Sequence, residues 1–315
     1  MAPPRDLAIR PLGLGEVIDR AVALTRRHFR PLFLAMLVIE APALALARVQ
    51  QARTGELLAV LSDPARAAPA LGPLGASFAE LLAVLLVLQL AATAAAAAIV
   101  APSLDPRGVP APPVPRRVLA VVTSAAVQLA ALVAAPALGG LPGLVLAARA
   151  EAPATRIVGL AAMVAGSLGL FLVALLRLVL VPAVAAVEGR GGVSAALRSS
   201  RLMTPRRRGR PVDRPGLRAS LVLLATFLLA LAVNGIAGVP RAVAARVAGT
   251  AGPLDLLGGA LPLGVEIPVS LFEAAATAAL QPFSLVAVAV LYFDRRARTE
   301  ALDAEIWAAR LEGGR

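Results

Sequence analysis

Long apolar runs alternate with short charged ones along the whole chain, and the runs are of membrane length. Six are expected to span, roughly 31–48, 78–101, 118–138, 157–187, 219–239 and 267–293. Each is long enough as a helix to cross a hydrocarbon layer about 30 Å thick. The fourth is about ten residues too long for a perpendicular helix. With Pro182 inside it, it predicts a span ending near Arg177 and then a kinked or interfacial tail. The run Gly139-Gly140-Leu141-Pro142-Gly143 is expected to break helix after the third span, leaving 144–148 too short to cross again. The fold class is therefore all-α, a polytopic membrane helix bundle.

Two stretches between the apolar runs show helical periodicity instead. In 14–29, Leu14, Val17, Ile18, Ala21, Leu24 and Phe29 share one face, with Glu16, Asp19, Arg20, Arg26 and Arg27 opposite. Glu16 and Arg20 stand i,i+4 in the favourable order. In 193–203, Val193, Ala196, Leu197 and Met203 oppose Ser194, Arg198 and Arg201. Both are too charged to span and are expected to lie flat at the membrane surface, apolar face in acyl chain. Residues 102–115 are proline-rich and read as an extended connector.

Charge orients the bundle. The chain has 31 basic residues against 19 acidic ones, and every basic residue is Arg. With both termini inside, twenty-three arginines fall on cytoplasmic segments and seven on outer ones. That is the positive-inside bias, and an odd number of spans would scramble it. Three parts follow: a cytoplasmic amphipathic helix (1–30), a six-span domain (31–293) with a basic loop at 188–218, and a cytoplasmic helical tail (294–315). The expected location is a bacterial inner membrane.

Composition narrows the chemistry. Mean hydropathy is +0.81 and 59% of residues are apolar, against about 45–50% in soluble domains. The net charge of +12 sits in loops between spans and lacks aromatic stacking platforms, which argues against nucleic acid. There is no Cys, no Lys and one histidine, His28. Disulfides, thiolate metal sites, paired-histidine motifs and lysine-bearing phosphate loops are therefore out of reach. Gly166-Ser167-Leu168-Gly169 lacks the glycine two residues before the serine that a nucleophile elbow needs. No enzyme and no cofactor is expected.

Ionisable and amide groups inside spans are the candidate intramembrane polar residues: Glu40, Arg177, Glu273 and Gln281, with Gln89, Gln128 and Asn234 also at depth. They read either as a polar path at a broken-helix site or as snorkelling charges and helix–helix hydrogen bonds. Arg198, Arg201, Arg206, Arg207 and Arg208 are candidate contacts for anionic lipid head groups. Asp294 is a candidate cytoplasmic tie, either pairing with Arg298 on its own helix or reaching an arginine of 198–208.

Three stretches, 12–29 (LGLGEVIDRAVALTRRHF), 181–204 (VPAVAAVEGRGGVSAALRSSRLMT) and 286–303 (VAVAVLYFDRRARTEALD), together resemble the glycerophosphoryl diester phosphodiesterase membrane-domain family. Arg201 stands where that pattern often has an aromatic, and Arg295 where an aliphatic is usual. In multidomain relatives a soluble phosphodiesterase barrel accompanies the membrane part. Its catalytic histidines and metal-binding acids have no counterpart here, so the resemblance implies an integral membrane protein without that activity. The expected role is a membrane scaffold or accessory protein. The alternative is a transporter or channel-like protein for a small solute or lipid. Expected partners are the bilayer, its anionic head groups, and another membrane or cytoplasmic protein.

Overall fold

The computed structural model describes residues 12–42, 80, 84, 87–104, 113–204, 215–249, 261 and 263–300, and everything below concerns those residues. Among them all regular structure is helical. In chain order the helices are α1 (Leu14–Arg27), α2 (29–42), α3 (Val87–Leu104), α4 (Val114–Arg149), α5 (Pro153–Leu178), α6 (Val181–Glu188), α7 (Gly192–Met203), α8 (Pro215–Val247) and α9 (Leu263–Glu300).

Five stretches are long and apolar enough to cross a membrane: α3, α4, α5 taken together with α6, α8, and α9 from Gly264. They coincide with the second to sixth expected spans. The first expected span is described only to residue 42, and its remainder lies outside the described residues. Membrane immersion also explains the outer surface. On α5, Ile157, Val158, Val164 and Leu168 are all more than half exposed, an apolar face far larger than a water-soluble monomer tolerates.

The chain forms a helical bundle around α9. From Leu285 to Arg295 every residue of α9 is buried, as expected of a helix packed on all sides. Around that stretch gather Val17, Ala21 and Leu24 of α1, Leu32 and Met36 of α2, and α6 and Leu202 of α7. The apolar face of α1 is thus covered by protein rather than by acyl chains, which corrects the surface-helix expectation. Arg20, expected on the polar face, is buried. On α7 the buried stripe is Ala195, Ser199, Leu202 and Met203, while Val193 and Leu197 point outward. Of the expected stripe Val193, Ala196, Leu197 and Met203 only Met203 is buried, and Ser199 lies inside, its hydroxyl donating to the Arg177 carbonyl at 2.7 Å.

Two breaks and one continuation set the geometry. Helix α5 ends at Leu178, two residues turn, and α6 starts afresh with Pro182 in its first turn, matching the expected interruption of the fourth span. Proline is tolerated there because the first-turn N–H has no helical acceptor. Gly189 closes α6 at φ 66°, a left-handed position, with its N–H on Ala185 O.

The expected break at 139–143 does not occur: α4 runs unbroken through Pro136, Gly139, Gly140, Pro142 and Gly143 to Arg149. A broken helix in hydrocarbon would leave backbone polar groups unsatisfied. The glycines serve a different end, letting α5 approach backbone to backbone. A methyl group built on Gly139 would strike Gly166, and one on Gly143 would strike the backbone of Met163. Small residues four apart commonly seat membrane helices in this way. Ser167 adds a hydrogen bond to the Pro136 carbonyl, 2.9 Å. The first residues of the expected connector, 102–104, prolong α3, and 105–112 lie outside the described residues.

Candidate functional site

Polar side chains collect in three places: the end of the bundle formed by α1, α6, α7 and the close of α9, the middle of the bundle, and its far end.

At the first, the three stretches behind the family resemblance meet. Asp294 is wholly buried at its side chain. It accepts the Leu12 N–H at 2.8 Å, two bonds from Arg298 Nε at 3.1 Å, and lies 3.5 Å from Arg218 Nη2. Leu12 O in turn accepts from Arg218 at 2.7 Å and Arg298 at 2.6 Å. One carboxylate and two guanidiniums therefore clamp both backbone groups of a single residue at the entry to α1. Gly13 N donates to Glu16 Oε2 at 2.6 Å, capping the same entry.

Asp294 thus makes the expected bond to Arg298, and among the described residues its further ties run to Leu12 and to Arg218 of α8 rather than to Arg198 or Arg201. Its surroundings are polar contacts rather than water, with Tyr292 and Phe293 beside it buried, and α9 continues past it to Glu300. The tie to α7 comes from its neighbour. Arg295 donates from Nε and Nη2 to Leu202 O at 3.0 and 2.9 Å, capping the negative end of α7. An aliphatic residue at 295 has no such donors.

Beside this, Glu188 at the close of α6 accepts from Tyr292 Oη at 2.8 Å, Arg190 Nε at 3.0 Å and Arg198 Nε at 3.1 Å. Arg198 also pairs with Glu300, which takes Arg296 as well. Arg198 is therefore engaged inside the protein and is corrected from lipid contact to structural tie. Arg201 is exposed, as a lipid contact requires. Arg206, Arg207 and Arg208 lie outside the described residues. At this same end His28 Nε2 meets Ser103 Oγ at 2.9 Å, and burial, with Arg27 adjacent, pushes the imidazole below its ordinary value.

The middle of the bundle brings two of the four candidate intramembrane residues together. Gln281 Nε2 donates to Gln89 Oε1 at 2.9 Å, and the Gln281 amide neighbours the Glu40 carboxyl. Gln281 stands thirteen residues before Asp294, about 20 Å along the helix at ~1.5 Å per residue. Beside this amide pair is a cavity of about 510 Å³ between α3, α4, α5, α8 and α9, walled by leucine and valine with Gln89, Thr93, Gln128, Thr226 and Ser284 among them. A second space of about 220 Å³ shares Gln89, Thr226 and Ser284 and adds Gln281.

The other two candidates lie elsewhere. Arg177 is exposed, one residue before the end of α5, the place of a charge reaching for head groups. Glu273 belongs to the far end, where Arg241 of α8 donates to it at 2.9 Å and forks onto Glu266 at 2.5 and 3.1 Å, with Ser270 at 3.2 Å. The spacing of Glu266, Ser270 and Glu273 on one face of α9 is visible in the sequence. Their partner Arg241 was masked by the expectation that α8 ends at 239.

No family profile, curated protein or solved structure matches the chain.

Proposed function

We propose that the chain is a non-catalytic scaffold or accessory protein of a bacterial inner membrane, with both termini and its basic end in the cytoplasm. The supporting observation is the Leu12 clamp. Buried charge at the basic end is consumed in tying α1, α8 and α9 together, as a fixed platform requires and a reacting centre does not. The platform offers Arg201, Arg26, Arg27 and Arg30, all exposed, to anionic head groups. Each is worth up to about 1 kcal/mol near a charged leaflet. The convergence of the three resembling stretches on one cluster supports membership of the glycerophosphoryl diester phosphodiesterase membrane-domain family as part of the same proposal.

Native mass spectrometry after mild extraction tests this reading. Anionic lipid is expected to stay bound in preference to zwitterionic lipid, and Arg201→Glu, outside every described ion pair, is expected to reduce that preference. Equal retention of both lipid classes would remove the lipid-facing role of the platform.

A second reading, carriage of a small solute or lipid, is favoured by one observation, the mid-bundle cavity beside Gln89 and Gln281.

A further inference from the structure

We propose that the mid-bundle cavity binds a neutral lipid bearing a free hydroxyl, taken up sideways from the hydrocarbon. The proposal deepens the carriage reading by naming the ligand class.

The lining sets the class. No charged side chain lines either space, so a charged head group would enter without a counter-ion, at heavy desolvation cost. Most of the remaining wall is leucine and valine with Phe227 and Phe283, suited to a hydrocarbon chain. Phe227 and Leu224 of α8 are both lining and exposed, so the rim faces acyl chains. The larger space, about 510 Å³, falls within the range of roughly 300–1,000 Å³ typical of ligand pockets.

The polar groups then ask for a donor. Gln128 is 3% exposed, and its Oε1 has no hydrogen-bond partner among the described residues. Gln281 Oε1 is likewise buried and unpartnered, while its Nε2 serves Gln89. The hydroxyls do not fill the gap. Thr93, Thr226 and Ser284 spend their protons on carbonyls of their own helices, at 2.8, 2.9 and 2.8 Å. They face the cavity as acceptors. The two unpartnered amide oxygens stay at a penalty until a donor arrives, and a lipid hydroxyl supplies one without bringing charge.

The test uses the purified full chain in nanodiscs of zwitterionic lipid. The probes are a long-chain alcohol with a mid-chain diazirine and its methyl ether, which has the same chain but no donor. The alcohol is expected to label peptides containing Leu223–Ala230 and Ser284–Val288, and to be displaced by unlabelled alcohol about fivefold better than by unlabelled ether. Gln128→Leu and Gln128→Met are each expected to abolish that preference while leaving ether labelling in place. The wild-type comparison needs no variant to fold. Equal labelling by alcohol and ether, labelling spread over the outer faces of α5 and α8, or a preference that survives both substitutions would each overturn the proposal. Binding without movement between leaflets would sink carriage and leave this site standing.

Discussion

Asp294 and Leu12 are 282 positions apart and joined by a 2.8 Å hydrogen bond from the Leu12 N–H to the Asp294 carboxylate. Because Arg218 and Arg298 hold the Leu12 carbonyl, the bond closes a ring between the entry of α1 and the end of α9. Asp294→Asn keeps an acceptor for Leu12 but removes the carboxylate charge that lies 3.5 Å from the buried Arg218 guanidinium. Breaking one partner of a buried pair costs about 3–5 kcal/mol, so the thermal midpoint in detergent should drop sharply. A double-mutant cycle with Arg218→Met should show coupling, and one with Arg198→Met should show none. Coupling to Arg198 instead would mean that Asp294 ties to α7.

The α4–α5 seam predicts a different failure. Gly143→Val places a branched side chain against the Met163 backbone, which cannot yield as a flexible side chain would. Overpacking typically costs about 1–3 kcal/mol, and a backbone clash belongs at the upper end. Gly169→Val, where an added side chain meets open space, should leave the midpoint nearly unchanged. Equal losses in the two variants would mean that α4 and α5 do not meet at Gly143.

Much of this architecture was legible in the sequence, and the limits have physical causes. Five apolar runs reappear as long helices because a hydrocarbon-crossing segment must satisfy its own backbone bonds. The interruption near Pro182 followed from proline and excess length. Periodicity identified α1, but it separates apolar from polar faces without saying whether lipid or protein covers the apolar one, and that choice is made by α9. The glycines at 139–143 predict a helix break because glycine with proline ends helices in water. The four-residue spacing of Gly139 and Gly143 was the available sign of close packing. Of the intramembrane candidates, Glu40 and Gln281 do meet. Arg177 sits at a helix end, and Glu273 answers to Arg241, whose depth depended on a helix boundary set eight residues too early.

His28 supplies a pH dependence. Its folded-state value is lowered by burial and then by Arg27, so between that value and the ordinary one of about 6.5 the unfolded chain holds a proton that the folded chain lacks. Stability is therefore full above the ordinary value and declines as pH falls through it, levelling off below the folded value. The thermal midpoint in detergent should fall between roughly pH 7.5 and pH 5.5, and fall less in His28→Gln. An identical decline in the two would assign the effect to other groups.

The central claim is that α7 and the clamp beside it face the cytoplasm, and impermeant thiol labelling tests it most directly in a chain that has no native cysteine. Ser194 suits the probe because it is exposed, whereas Ser199 is buried and bonded to Arg177. Ala248, exposed just beyond α8, reports the opposite side. In intact cells Ala248→Cys should label and Ser194→Cys should not, and Ser194→Cys should label once the membrane is opened. Labelling of Ser194→Cys in intact cells would place the basic platform outside and contradict the account.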